Sequence, residues 1–204
     1  MTSNQRAQAD LRRLSLPGAQ LTNIDLDDAL LDDCVLTGAV LIGASLRDAS
    51  MLGARLDDAD LSFADLRGAR LRKAVMTNAE MATVNATEAD MRQANLVEAN
   101  LYGANLEAVY LSEGDLHGAR LQRANLEGAY LDYCNLRASD LQGANLADAD
   151  LTGADLAGAD LTFADFSRSQ LTGANLTGCI LDGASFDGAI CDSAPSGRSG
   201  PPRA

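Results

Sequence analysis

Twenty-nine Asp and Glu residues against sixteen Lys and Arg give this 204-residue chain a formal net charge of −13, so carboxylates dominate the chemistry its surface offers. Carboxylates act either as an enclosed acid–base pair whose pKa values are split by environment, or as a field that draws in a basic partner. No nucleophile elbow, phosphate-binding loop or metal-binding helix motif accompanies them, and they recur along the whole chain, which favours the second use. The same sign opposes direct binding to DNA, RNA or anionic lipid. His117 is the single histidine and has no paired Cys to complete a zinc site, so it reads as a surface residue. The four cysteines lack paired spacing, as expected in a reducing compartment, and Cys34 and Cys134 read as small core residues. Catalytic, cofactor and metal sites are therefore not expected, and the chain does not read as an enzyme.

The elements that must carry these acids follow from a period of five. Counted from Ala9, 37 consecutive units run to Ser193 without insertion or deletion. Position 3 is Leu 29 times, with Met51, Met76, Met81, Ala86, Met91, Phe166, Phe186 and Cys191 as the exceptions. Position 1 is Ala 27 times, and most exceptions are compact, among them Cys34, Cys134, Ser139, Ser169 and Cys179. An α-helix advances about 100° per residue and would scatter a five-residue stripe around its surface. A flat strand alternates faces every two residues and would send successive leucines to opposite sides. A chain that turns after each unit puts every position 1 and position 3 side chain on a common axis. Position 5 is the expected corner: it holds fifteen of the eighteen glycines and Asn or Asp seven more times, residues that tolerate the positive φ of a type II turn.

The unit AxLxG, with Asp or Asn often second as in ANLEG, ADLAG and ANLTG, resembles the A(D/N)LXX consensus of the pentapeptide-repeat family over residues 9–193, about nine tenths of the chain. Periodicity gives the side of a coil but not the number of sides. The resemblance implies four, and with them an all-β fold, a right-handed quadrilateral β-helix of about nine coils and roughly 44 Å length at about 4.8 Å per coil. Residues 1–8 are expected as a polar N-terminal segment and 194–204 as a disordered tail. The N-terminus has no apolar stretch of secretion-signal length and no segment approaches a membrane span, so the expected location is cytoplasmic.

On four sides, residues twenty apart share a column, and the sides carry unequal charge. One side presents Asp25, Asp27, Asp28, Asp48, Asp65, Glu88, Glu107, Glu127, Asp148, Asp165 and Asp187 against Arg47, Arg67 and Arg168, a net −8, whereas the others sum to −2, −3 and −3. Elsewhere Tyr110 and Tyr130 fall one coil apart and can stack, with Tyr133 near the second of them. Arg70, Arg72, Lys73 and Arg92 form a small basic cluster on that same side, expected to pair with neighbouring acids. Around Met76–Met91, with Val84 beside Ala86, the core sequence changes and a bend or local repacking is expected.

A stiff rod with one acidic side suggests partial nucleic-acid mimicry: about one net charge per 5 Å against about one per 1.7 Å of duplex DNA. Some pentapeptide-repeat proteins, the quinolone-resistance Qnr group, MfpA and the albicidin-resistance protein among them, bind DNA gyrase. The resemblance thus implies DNA gyrase or topoisomerase IV as partner, the acidic side as the contact, and protection from topoisomerase poisons. Two departures stand against it: no loop interrupts the coils as in some Qnr-like proteins, and no C-terminal helix follows the last unit. The alternative is a structural or scaffold rod that docks a protein through outward Leu30, Val40, Ile42 and Leu52. Solenoid ends leave unpaired edges, and Ile180 and Ile190 near the C-terminal end mark a candidate homodimer contact.

Overall fold

The computed structural model describes residues 9–192; the expected N-terminal segment and C-terminal tail lie outside them. Every position 2 residue bridges in parallel to the residue twenty further on, from Asp10 with Leu30 to Gln170 with Ile190. Twenty residues, four units, therefore close each turn of the chain, and the columns drawn from a four-sided register are those observed.

The fold follows from where each backbone N–H goes, since a buried unpaired one is costly. The position 1 N–H closes the corner by donating to the position 3 carbonyl of the preceding unit, as Leu14 does to Leu11 at 3.2 Å. The position 2 N–H donates to the coil before, as Leu30 does to Ala9 at 2.8 Å. Those at positions 3 and 5 donate to the coil after, as Leu11 does to Leu30 at 2.7 Å and Arg13 to Asp32 at 2.9 Å. Only the position 4 N–H is left over, and where position 2 is Asp or Asn that side chain accepts it: Asp60 takes the N–H of Ser62 at 3.0 Å and Asn95 that of Val97 at 3.0 Å. This gives the recurrent Asp or Asn of position 2 a physical reason, an Asx turn that satisfies the last orphan donor. In the units of Ser45 and Ser50 an acid one coil earlier substitutes: Asp27 accepts the N–H of Arg47 and Asp32 that of Leu52, each at 3.0 Å.

Position 5 adopts positive φ at every corner from Arg13 (60°) to Gly188 (71°), while no position 4 residue does, which is the type II pattern. Each corner spans positions 3, 4, 5 and 1, so only position 2 lies between corners. The pairing is accordingly a series of single-residue bridges. Among the described residues the all-β architecture is built of these bridges and no strand forms, because the side is too short to hold one.

Positions 1 and 3 fill the interior. Leu36, Leu66, Leu101 and Leu126, with Ala39, Ala69, Ala104 and Ala129, are essentially inaccessible, and Phe166 stacks on Phe186 with ring centroids 5.0 Å apart. The Met-rich stretch remains in register. Met76, Met81, Val84, Ala86 and Met91 are all fully buried, and their ladder bonds to the following coil or within the corner are unbroken. That stretch is therefore a repacking of the shaft. Ser139 and Ser169 enter position 1 because their hydroxyls donate to the corner carbonyls of Leu136 and Phe166 at 2.7 and 2.8 Å.

Two substitutions at one level test this packing. Leu126→Ala should lower the unfolding free energy by about 2–5 kcal/mol through the cavity it leaves, whereas Ala124→Leu should overpack the narrow axis and cost about 1–3 kcal/mol or more. Urea denaturation followed by circular dichroism reads both, and a neutral Ala124→Leu would contradict the size limit assigned to position 1.

Candidate functional site

The eleven acids of the most acidic side fall into two sets once their positions in the unit are known. Asp25, Asp65 and Asp165 stand at position 2 and spend an oxygen on the N–H of Asp27, Arg67 and Ser167 at 3.3, 3.3 and 2.9 Å. Their first role is to close corners. Asp27, at position 4, accepts the N–H of Arg47 at 3.0 Å, and the other seven stand at positions 4 and 5.

The three bases on this side are each engaged. Arg67 pairs with Asp65 at 2.6 Å, Arg47 with Asp27 at 2.7 Å and with Asp65 at 3.8 Å, and Arg168 with Asp148 at 2.6 Å. The guanidinium hydrogen bonds of Arg67 and Arg168 hold the Asp65 and Asp148 carboxyls below their ordinary pKa. At Asp27 burial pushes the pKa up, but hydrogen bonds from Arg47 and Ser45 outweigh it and the net shift is downward. These pairs are partly exposed, so their contribution to stability is small.

Arg47 and Arg67 sit towards one end of the side and Arg168 towards the other. Between Arg67 and Arg168 the side has no base, and Glu88, Glu107 and Glu127 are exposed on it. Beneath them runs an amide ladder. Asn125 donates to Asn105 at 3.2 Å and Asn145 to Asn125 at 3.0 Å, while Asn145 also reaches Glu127 at 3.2 Å. Mid-rod is thus the stretch where the acids of this side stand without a base among them, over a neutral, hydrogen-bonded ladder.

On another side Tyr110 and Tyr130 stack with centroids 4.9 Å apart and planes 5° from parallel, with Arg92 lying 5.8 Å over the Tyr110 ring. Arg92 pairs with Asp90 at 2.6 Å and Arg72 approaches the same carboxylate at 3.9 Å, the neighbour pairing expected of that basic cluster. His117 is an exposed position 4 residue. Burial pushes the Cys34 thiol up to about 11 and that of Cys134 up to about 12, and the Cys134 thiol donates to the Leu111 carbonyl at 2.9 Å, so both are inert packing groups. Among the described residues no His, Cys, Asp and Glu cluster could hold a metal ion, and no helix is long and apolar enough to cross a membrane.

The candidate apolar contacts are not brought together. Val40 and Ile42 share one side, while Leu30 and Leu52 lie on the opposite one, two units away around the coil. Ile180 and Ile190 are 44% and 54% exposed, also on opposite sides near the C-terminal end.

Sequence reasoning passed over Phe63 and Phe163 and placed Tyr133 only as a neighbour of Tyr130. Phe63, Tyr133 and Phe163 are 67%, 65% and 73% exposed and occupy position 5, with φ of 61°, 57° and 58°. A bulky side chain at positive φ is an outlier. The signal was available, because an aromatic at the corner is the reverse of the glycine the unit prefers. Tyr133 folds over Gly153 of the next coil, where a Cβ would meet its ring at 2.7 Å, and Phe163 covers Gly183 in the same way.

A profile described as pentapeptide repeats matches this chain in eight copies across residues 24–190. The chain belongs to the pentapeptide-repeat family. HetL from the cyanobacterium Nostoc sp. strain PCC 7120, a pentapeptide-repeat protein involved in heterocyst differentiation regulation, is 35% identical over 93% of this chain and 91% of its own, with a TM-score of 0.69. QnrB1, a plasmid-mediated fluoroquinolone resistance protein, shares 18% identity over 91% of this chain and 93% of its own, also at a TM-score of 0.69, and so shares the fold. The comparison with curated proteins gives no match. The architecture is therefore the family's right-handed quadrilateral β-helix, a rod of the non-enzymatic, protein-interaction kind.

The paired acids predict an acid limb of stability. A carboxyl lowered in the folded state stabilises fully above the unfolded value of about 3.9 and loses that contribution as pH falls through its folded pKa. Asp10, drawn down to about 2 by hydrogen bonds from Arg12, sets the lower limit of the window. The thermal midpoint should hold above about pH 4 and fall between about pH 4 and pH 2. Asp65→Asn, which keeps the corner acceptor, should make that fall shallower; an unchanged slope would show that the pair does not contribute.

Proposed function

We propose that this rod is a binding protein that lays its acidic side into a basic, duplex-binding groove of a cytoplasmic protein, and that the groove is the DNA-binding saddle of DNA gyrase or topoisomerase IV. One observation carries the reading: the run of exposed Glu88, Glu107 and Glu127 between Arg67 and Arg168, on a side with no compensating base for the intervening coils. A regular shaft of about nine coils holds those carboxylates at fixed spacing, which lets a groove lined with Lys and Arg meet them without first ordering them. Occupying the saddle would compete with DNA and so protect the enzyme from poisons that act on its DNA complex. The resemblance to gyrase-binding family members supports the choice of partner.

The second reading is a scaffold rod for a different protein partner. It is favoured by the similarity to HetL, a regulatory protein, at 35% identity against 18% for QnrB1. The separation of Leu30 and Leu52 from Val40 and Ile42 confines any apolar docking to one side at a time.

Supercoiling by gyrase, with and without a fluoroquinolone, tests the first reading. The wild-type rod should inhibit or modulate supercoiling and reduce poison-stabilised cleavage, and Glu88→Lys combined with Glu107→Lys and Glu127→Lys should abolish both effects. Asp65 is the wrong residue to reverse, because it caps a corner and pairs with Arg67. Absence of any effect at a severalfold molar excess over enzyme would remove the topoisomerase reading and leave the scaffold.

A further inference from the structure

Phe63 and Phe163 share more than exposure. Both stand at the corner that joins the acidic side to the side before it, two residues ahead of Asp65 and Asp165. One hundred residues, or five turns of the coil, separate them, which places them about 24 Å apart along the rod. Within that interval fall Glu88, Glu107 and Glu127, the stretch without bases. Each ring is held at a backbone conformation that glycine adopts without strain, at φ 61° and 58°, and each backbone N–H is fixed in the ladder, to Ala82 at 3.1 Å and Asp182 at 2.8 Å. Neither ring fills the shaft: they are 67% and 73% exposed. Phe163 covers Gly183 of the next coil, yet most of each ring stays open to solvent, so packing accounts for little of either, and unfavourable local geometry that returns so little to the fold points to use. Aromatic residues are also the side chains that anchor interfaces, at low conformational cost and with large buried area.

We propose that Phe63 and Phe163 are a pair of apolar anchors that bracket the acidic stretch and seat in two apolar recesses, about 24 Å apart, on the same basic protein surface that receives Glu88, Glu107 and Glu127. The proposal rests on the acidic-side reading and adds what charge alone lacks, a fixed register along the rod. Carboxylates repeating every coil would let a basic groove slide by one coil at little cost, whereas two rings at a set separation permit one position. The occupant is thus a protein with a positively charged, rigid groove edged by apolar pockets.

Phe→Gly substitution separates binding from folding, because glycine is the residue these corners prefer. Phe63→Gly, Phe163→Gly and the double variant should keep or raise the thermal midpoint, and their charge is unchanged. Binding to intact gyrase, measured by calorimetry or surface capture across a salt series, should weaken about tenfold or more for each single variant, in the range of interface anchors. The dependence of log affinity on log salt should stay as in the wild type, since no ion contact is removed. A midpoint lowered by more than about 5 °C would show that the rings serve the fold and would overturn the proposal. Wild-type binding with unaltered affinity in the double variant would overturn the anchors while leaving the acidic-side reading intact. Failure of the wild type itself to bind would overturn that reading and the anchors with it.

Discussion

The structure depends on a corner that recurs every fifth residue. At each corner the position 5 backbone takes positive φ, the position 1 N–H closes onto the position 3 carbonyl, and the chain emerges on the next side with its donors aimed at adjacent coils. If one unit were longer by a residue, the next position 3 would leave the shaft, and one extra unit would move every later column by a face. The uninterrupted frame from Ala9 onward is therefore what gives the outer surface its order, and charge summed by side has meaning only because of it. The hydrogen bonds are individually modest, but from Leu11 to Leu171 every described position 3 N–H has a carbonyl partner in the next coil, and it is the avoided penalty that counts.

This division of labour sets what the surface can vary. Positions 1 and 3 are committed to a shaft so narrow that Ala alternates with Leu, and position 2 is drawn into the corner chemistry through its Asx bond. Positions 4 and 5 are left for recognition. On the acidic side the consequence is a separation by position: Asp65 and Asp165 would be retained in a rod that bound nothing, while Glu88, Glu107 and Glu127 have no such reason to be acidic. Position 5 has a further restriction, because anything but Gly, Asn or Asp there strains the backbone. Phe63 and Phe163 stand against that preference, as Glu88 and several other position 5 residues do, and add to it a ring left largely open to solvent.

Much of this was legible in the residues. The leucine and alanine columns, the corner at position 5 and the stacking of Tyr110 on Tyr130 all follow from period and residue type, and the structure has each of them. The number of sides did not follow from periodicity, since a unit specifies its own turn but not the angle accumulated over several; it came with the family resemblance, and the bridges twenty apart agree with it. The role of position 2 was also hidden. A carboxylate in a sequence reads as charge, and only the turn geometry shows that Asp60 or Asp65 aims an oxygen back at the N–H two residues on. Ion pairs were harder still: Arg67 pairs within its own unit while Arg168 reaches back twenty residues to Asp148, a choice made by rotamers at the corner.

Charge density explains why an acidic rod of this kind needs more than its carboxylates. Duplex DNA offers about one charge per 1.7 Å, and the acidic side about one net charge per 5 Å, so a groove shaped for DNA gains less electrostatic free energy from the rod at low salt. DNA, however, loses affinity steeply as salt rises, in proportion to the number of phosphates neutralised. A ligand with fewer ion contacts loses less, and the contribution of buried aromatic rings does not fall with ionic strength, because apolar burial is insensitive to screening. The balance between rod and DNA in a shared groove therefore moves towards the rod as salt increases. On this reading, rings that bracket a moderate acidic field are what allow a protein rod to compete under ionic conditions in which carboxylates at this spacing, acting alone, would be outcompeted.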